Sequence, residues 1–197
     1  MENCAFCNRN KEEIILETEN FYITPSIGQI VEGYLLICSK KHFIGAAFLP
    51  NELFKELEEL KEKVKQILEK NYITPIFFEH GAISSYERAG CCIEHLHLHA
   101  VPINLDIFYD LSKHFEYETI KELKEIKSKA KTSYIFYENN QSNKFLFHIK
   151  EPIPSQYLRQ IIAARINQIY KWDWREYPGL EEFNKTLEKL KGGKKDG

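Results

Sequence analysis

Glu94-His95-Leu96-His97-Leu98-His99-Ala100-Val101-Pro102 is the stretch that decides how this chain is read. A strand places residues i, i+2 and i+4 on one face. Three imidazoles would then project together while Leu96, Leu98 and Ala100 turn into a core. The chain has seven histidines in 197 residues, and chance would give such a triple in only about 1% of shuffled chains when matches to the template are counted. An affinity tag would be terminal and contiguous. This run is internal, alternating and flanked by apolar residues.

Working outward, residues 21–24 and 33–38 read as strands, rich in aromatic and β-branched residues and bounded by Pro25, Gly28, Gly33 and Ser39. Asn51 is a good N-cap for a helix to about Lys70, with Leu53, Phe54, Leu57, Leu60, Val64, Ile67 and Leu68 along one apolar stripe. Strand character resumes over 72–79, Gly81 to Gly90 reads as a polar loop, and the triad strand covers 93–101. Past Pro102 the pattern predicts a charged helix over roughly 116–130, then a hairpin from Ser133–Tyr137 to Lys144–Ile149 with a polar turn. Pro154 and Ser155 open a helix whose Tyr157, Leu158, Ile161, Ile162, Ile166 and Ile169 share a face, and a last helix covers 180–191. The expected class is α+β: an antiparallel sheet with packed helices, plus a C-terminal α/β extension. The expected division is a domain over 1–105, an extension over 106–191 packed on it, and a flexible tail over 192–197.

Composition narrows the function. A formal charge of −2 argues against a dedicated nucleic-acid binder, which carries a basic face. No run approaches the roughly 18 apolar residues that span a bilayer, and the first residues have neither the basic nor the apolar region of a signal peptide. Five cysteines, two of them as Cys4-x-x-Cys7 and two adjacent as Cys91-Cys92, are no disulfide framework and suit a reducing cytoplasm. Alone, Cys4-x-x-Cys7 is open between zinc, redox work and no role. Redox work wants a βαβ setting and a helix start after the first Cys, and Cys4 has neither. A closed zinc site needs four tetrahedral ligands.

From His95 to Val101 the chain matches a His-φ-His-φ-His-φ-φ pattern and resembles the histidine triad (HIT) superfamily of nucleotide hydrolases and transferases. The resemblance runs over residues 4–102. It takes in Cys4-x-x-Cys7, Gly33-Tyr-Leu-Leu-Ile-Cys38, Ser39-Lys-Lys-His42, the long helix and Phe77-Phe-Glu-His-Gly81. It implies that His97 attacks the α-phosphate to form a nucleotidyl-histidine, and that His99 donates to phosphate oxygens. A neutral imidazole, with an unperturbed pKa of about 6.5, suits that two-step route. In zinc-bearing microbial relatives the matching positions hold a structural metal, here Cys4, Cys7, His42 and His95; no organic cofactor is implied. Relatives carry Gln, Ser or Thr near the places of Cys91 and Cys92, and a thiol is a weaker donor. His80, Ser84, Ser85 and Arg88 could serve instead. The expected substrate-binding set is His80, Gly81, Arg88, Cys91 and Cys92, with His80 favoured because it ends an apolar strand beside Gly81, where the chain can approach a ligand closely.

The resemblance also implies a homodimer paired edge to edge, with no membrane partner. Hydrolysis of a dinucleoside polyphosphate or nucleoside phosphoramidate is favoured over transfer, because the uridylyltransferase branch carries Gln where His99 stands. The alternatives are a nucleotidyltransferase or phosphorylase, and a non-catalytic nucleotide- or RNA-processing adaptor. Pro154-Ser-Gln-Tyr-Leu-Arg159 and Trp172-Asp-Trp-Arg175 resemble an extension found in a subset of microbial members and in splicing-factor relatives. Docking of that extension on the sheet is favoured over a part in the pocket. His114 and His148 receive no role.

Overall fold

The computed structural model describes residues 4–84 and 93–192. Alternating apolar side chains build eight strands within these residues: β1 (Leu16–Glu17), β2 (Phe21–Pro25), β3 (Leu35–Ser39), β4 (Pro75–Gly81), β5 (His97–Pro102), β6 (Glu116–Ile120), β7 (Tyr134–Glu138) and β8 (Lys144–His148). They form one antiparallel sheet in the order β1-β2-β3-β5-β4-β7-β8-β6. The helices are α1 (Phe54–Asn71), α2 (Phe108–Ser112), α3 (Glu125–Lys129), α4 (Tyr157–Arg165) and α5 (Leu180–Gly192). The class is α+β, as the sequence predicts. No described helix is long and apolar enough to cross a membrane.

Period-two alternation sorts β5 between two cores. Leu98 and Ala100 pack with Leu35, Ile37 and Phe77 under the α1 stripe of Leu57, Leu60, Val64 and Leu68. On the other face Val101 joins Leu36, Phe78 and Ile135 beneath Leu158, Ile162 and Ala163 of α4. Each of these valine, leucine, isoleucine and phenylalanine side chains, fully buried, contributes about 1.5–3 kcal/mol. The triad strand is therefore interior to the sheet, held by β3 on one side and β4 on the other, with Leu36 and Phe78 opposite His99. Strands from the extension continue this sheet beyond β4, with β7 pairing from Phe77↔Glu138 to Gly81↔Tyr134. The boundary expected near residue 105 thus falls within one hydrogen-bonded sheet.

Several elements depart from the sequence reading. The helix predicted over 116–130 is instead β6 followed by the short α3. Glu116-Tyr-Glu-Thr-Ile120 alternates with period two, and Tyr117 and Thr119 favour a pleated surface. The helix-like charge pattern came from the edge: Glu116 and Glu118 meet Lys150 and Lys129 there, and charged side chains are normal on an edge strand. Asn51 does not cap α1 but opens a 3-10 turn, Asn51–Leu53, ahead of it. The α4 helix stops at Arg165, before Asn167 with its positive φ of 56°, which leaves Ile166 and Ile169 beyond its apolar face. β5 starts at His97, so His95 sits in the bend before the strand. The tail over 193–197, and the loop residues Ser85, Arg88, Cys91 and Cys92, lie outside the described residues.

One buried ion pair joins α1 to the extension. Lys61 Nζ, 4% exposed, lies 2.8 and 3.1 Å from the carboxylate oxygens of Glu138, itself 2% exposed. Removing one partner strands the other charge in a medium that cannot solvate it. Lys61→Met is expected to cost about 3–5 kcal/mol, read as a lowered urea midpoint with an unchanged slope. A change within 1 kcal/mol would show that water reaches Glu138.

Candidate active site and metal centre

The bend that takes His95 off the strand turns its imidazole toward the N-terminal segment. His95 Nδ1 lies 3.4 Å from Cys4 Sγ, 3.5 Å from Cys7 Sγ and 3.2 Å from His42 Nδ1, while Cys7 Sγ is 3.4 Å from His42 Nδ1. All four ligand atoms fall within 4.8 Å of one another. Zinc with Zn–S of about 2.3 Å and Zn–N of about 2.05 Å sets S–N edges of about 3.6 Å and an N–N edge of about 3.3 Å in a regular tetrahedron. The observed separations match that figure. The outer contacts agree as well: His95 Nε2 donates to the Ser39 carbonyl at 2.7 Å. That bond holds the proton on Nε2 and leaves the Nδ1 lone pair for a metal.

The Cys4-x-x-Cys7 turn carries Phe6 between its two thiols, and Phe6 packs on the triad. Its ring centroid is 4.9 Å from that of His97 and 5.6 Å from that of His95. Nothing in the spacing alone assigned Phe6 a role, yet a residue between two ligands must go where the ligands go.

His97 and His99 project from the same face of β5, with ring centroids 4.8 Å apart. His97 Nδ1 donates to the His95 carbonyl at 2.6 Å, which places the Nε2 lone pair away from the backbone. Burial lowers the His97 pKa, partly opposed by that hydrogen bond. His99 Nδ1 lies 2.6 Å from the Tyr34 hydroxyl. Burial pushes Tyr34 up to about 12, so the phenol keeps its proton and can donate it to Nδ1, leaving Nε2–H of His99 as a donor. Burial and the neighbouring His97 hold His99 well below the usual imidazole value. The Phe78 ring stacks on His99 at 4.3 Å and 12° and fixes its plane.

A model described as "Scavenger mRNA decapping enzyme C-term binding" matches residues 3–115. The chain belongs to that family, within the histidine triad superfamily. It is 23% identical to CWF19-like protein 1 of Xenopus laevis over 88% of this chain and 34% of that protein, so it spans about a third of the relative's length. It is also 23% identical to the bis(5'-adenosyl)-triphosphatase of Dictyostelium discoideum, over 68% of this chain and 92% of that one. Among solved structures, a Zn-bound histidine triad family protein from Mycobacterium smegmatis aligns with a TM-score of 0.44 and 20% identity, covering 53% of this chain and 78% of that one.

This histidine triad chain has a cavity of about 370 Å³ over the His97–His99 face, at the small end of the range for ligand sites. His80, at the end of β4, lines it. The imidazole is 7% exposed, and its Nε2 has no hydrogen-bond partner among the described residues. Burial, then the nearby His97, pushes His80 down to about 3, so near neutral pH it offers a neutral ring. Gly81, read from sequence as a second contact, lies elsewhere. A Cβ there would fall 1.9 Å from Tyr134 Cζ, so the glycine admits the Tyr134 ring. Arg88, Cys91 and Cys92 are outside the described residues. Sequence reasoning missed Tyr34 as the partner of His99. Its position directly after Gly33 and ahead of β3 was the available signal.

The extension both docks and lines the cavity. Gly28, at φ 74°, lets the β2–β3 connection approach it, since a Cβ there would lie 2.4 Å from Trp174 Cβ. Arg159, Gln156, Trp174 and Phe183 all reach the cavity wall.

Proposed function

We propose that this chain is a nucleotide hydrolase that cleaves a nucleoside phosphate derivative through a nucleotidyl-His97 intermediate. The substrate is a dinucleoside polyphosphate or a nucleoside phosphoramidate. The observation that carries this reading is the 2.6 Å bond from His97 Nδ1 to the His95 carbonyl. It holds a neutral imidazole in the one tautomer whose Nε2 lone pair is free for attack on the cavity side.

Nε2 of His97 bonds to the α-phosphorus, and the bond from phosphorus to the leaving oxygen or nitrogen breaks, the electron pair going to the leaving atom, which takes up a proton from solvent where it is basic, as an amine nitrogen is. Positive charge appears on the His97 ring as this happens, and the Nδ1–H bond to the carbonyl strengthens in response. His99 Nε2–H faces the phosphoryl oxygens, where negative charge accumulates. His80 meets the substrate from the end of β4. Water then attacks phosphorus and gives up a proton to solvent, the P–N bond breaks with its electron pair returning to Nε2, and a nucleoside monophosphate leaves with His97 neutral again. The likeness to the triphosphatase from Dictyostelium supports this substrate class.

We assign Cys4, Cys7, His42 and His95 to one structural zinc ion. Zinc there would supply a covalent tie, and four protein donors leave no open position for a reacting water. The protein's own part is to fix the His95 backbone, two residues from the nucleophile.

Turnover of a fluorogenic adenosine phosphoramidate tests the reading. Release of the fluorophore with AMP is expected. Nucleotide binding without turnover would favour the second reading, a non-catalytic adaptor, which rests on the likeness to CWF19-like protein 1 across 88% of the chain.

The dimer implied by the superfamily needs an open strand edge. β7 covers β4 within the chain, so among the described residues the open edges are the two-residue β1 and the five-residue β6, of which β6 is long enough to pair. Pairing through β6 predicts twice 23.3 kDa by light scattering at micromolar concentration. The mass of one chain would refute it.

A further inference from the structure

Arg159 stands on α4 of the extension, is 4% exposed, and borders the triad cavity. Its Nε donates to the Trp172 carbonyl at 2.8 Å, and its Nη2 donates to the carbonyls of Gly28 and Lys171 at 2.6 and 3.1 Å. None of these bonds uses Nη1. The three carbonyls fix the plane of the guanidinium but leave its charge uncompensated: among the described residues no carboxylate lies within the 4.0 Å of an ion pair. Asp173 senses Arg159 only as the weakest of its influences, behind Gln156 and Arg175. A buried guanidinium without a carboxylate partner among the described residues is costly, and this one is held by three carbonyls.

Its setting names the missing counter-ion. The Arg159 guanidinium carbon is 5.5 Å from the Tyr34 ring centroid, and the Tyr34 hydroxyl, which also interacts with the Arg159 guanidinium, is the partner of His99 Nδ1. The charge therefore sits on the His99 side of the cavity, where its field also disfavours protonation of His99. A planar fork with donors to spare is suited to phosphoryl oxygens.

We propose that Arg159 binds a phosphoryl oxygen of the substrate nucleotide beside His99, which makes the C-terminal extension a specificity-determining wall of the catalytic cavity. This rests on the reading of the cavity as a nucleotide site and adds to it the group that selects the phosphorylated form. It also joins two roles that the sequence left as alternatives, since the same side chain pins the extension and faces the ligand.

The test compares AMP with adenosine by calorimetry on the full chain. A charged hydrogen bond contributes about 1.5–3 kcal/mol, so Arg159→Gln should weaken AMP about 10- to 100-fold and adenosine less than about threefold. Arg159→Lys should recover part of the AMP affinity, because it keeps the charge and loses the fork. Loss of packing alone would weaken both ligands together. Because Arg159→Gln also removes three docking bonds, the unaltered protein supplies a second readout: the Arg159 Nε resonance should move on adding AMP and stay in place on adding adenosine. An unchanged AMP-to-adenosine ratio in the variant, or a resonance indifferent to AMP, would overturn the role of Arg159 while the nucleotide site stands. Failure of the unaltered protein to bind AMP at all would overturn the nucleotide reading and this proposal with it.

Discussion

His97→Ala is expected to lower kcat by about 10⁴-fold or more, while AMP affinity stays within about tenfold. On the proposed mechanism covalent catalysis depends on one nitrogen, whereas binding would be shared by His80, His99 and the walls of the cavity. Rapid quench with radiolabelled substrate should leave label on His97 in the unaltered protein and none in the variant. The pH dependence follows from the same ring. Burial lowers its pKa below the ordinary imidazole value, and the proposed mechanism requires the neutral form. Activity should therefore hold its plateau as pH falls through about 6.5 and decline only below that. An acid limb centred above that value, or turnover surviving in His97→Ala, would exclude His97 as the nucleophile.

Loss of the metal centre should have the second largest effect. Cys4→Ser/Cys7→Ser is expected to reduce zinc from about one per chain to near zero, by elemental analysis of untagged protein. The melting temperature should fall by about 10 °C, which at about 2–4 °C per kcal/mol for a chain of this size is roughly 3–5 kcal/mol. That is a fraction of the apparent binding energy of structural zinc in small domains, because the sheet persists without it. Phe6, which lies 4.9 Å from the His97 ring, would be released along with the thiols, so kcat/KM should fall too. A stable, active, metal-free protein with both cysteines reduced would refute the assignment.

Where the sequence spoke through periodicity it was clear. The alternation from Leu96 to Ala100, the α1 stripe and the 133–149 hairpin all reappear with shifts of a few residues. It was opaque where one residue serves two patterns. Glu116, Glu118 and Lys129 look like a solvated helix face, but the first two belong to an edge strand. For the site, Cys4, Cys7, His42 and His95 converge as the resemblance implied. Gly81 turned out to answer to Tyr134, a strand pairing over 53 residues that no local pattern encodes. Arg159 was visible as an arginine and hidden as a buried one, because only the tertiary fold decides which carbonyls surround a guanidinium.

The position of β5 has a consequence for how His97 and His99 fluctuate. A strand flanked by β3 and β4, with β7 and β8 beyond, can open only when several neighbours open with it. Local fraying, which frees the backbone of edges and termini at little cost, is closed to it. His97 and His99 thus share their excursions with the whole sheet. Weakening a distant joint, such as the Lys61–Glu138 pair, would broaden the range of positions that the His97 ring samples.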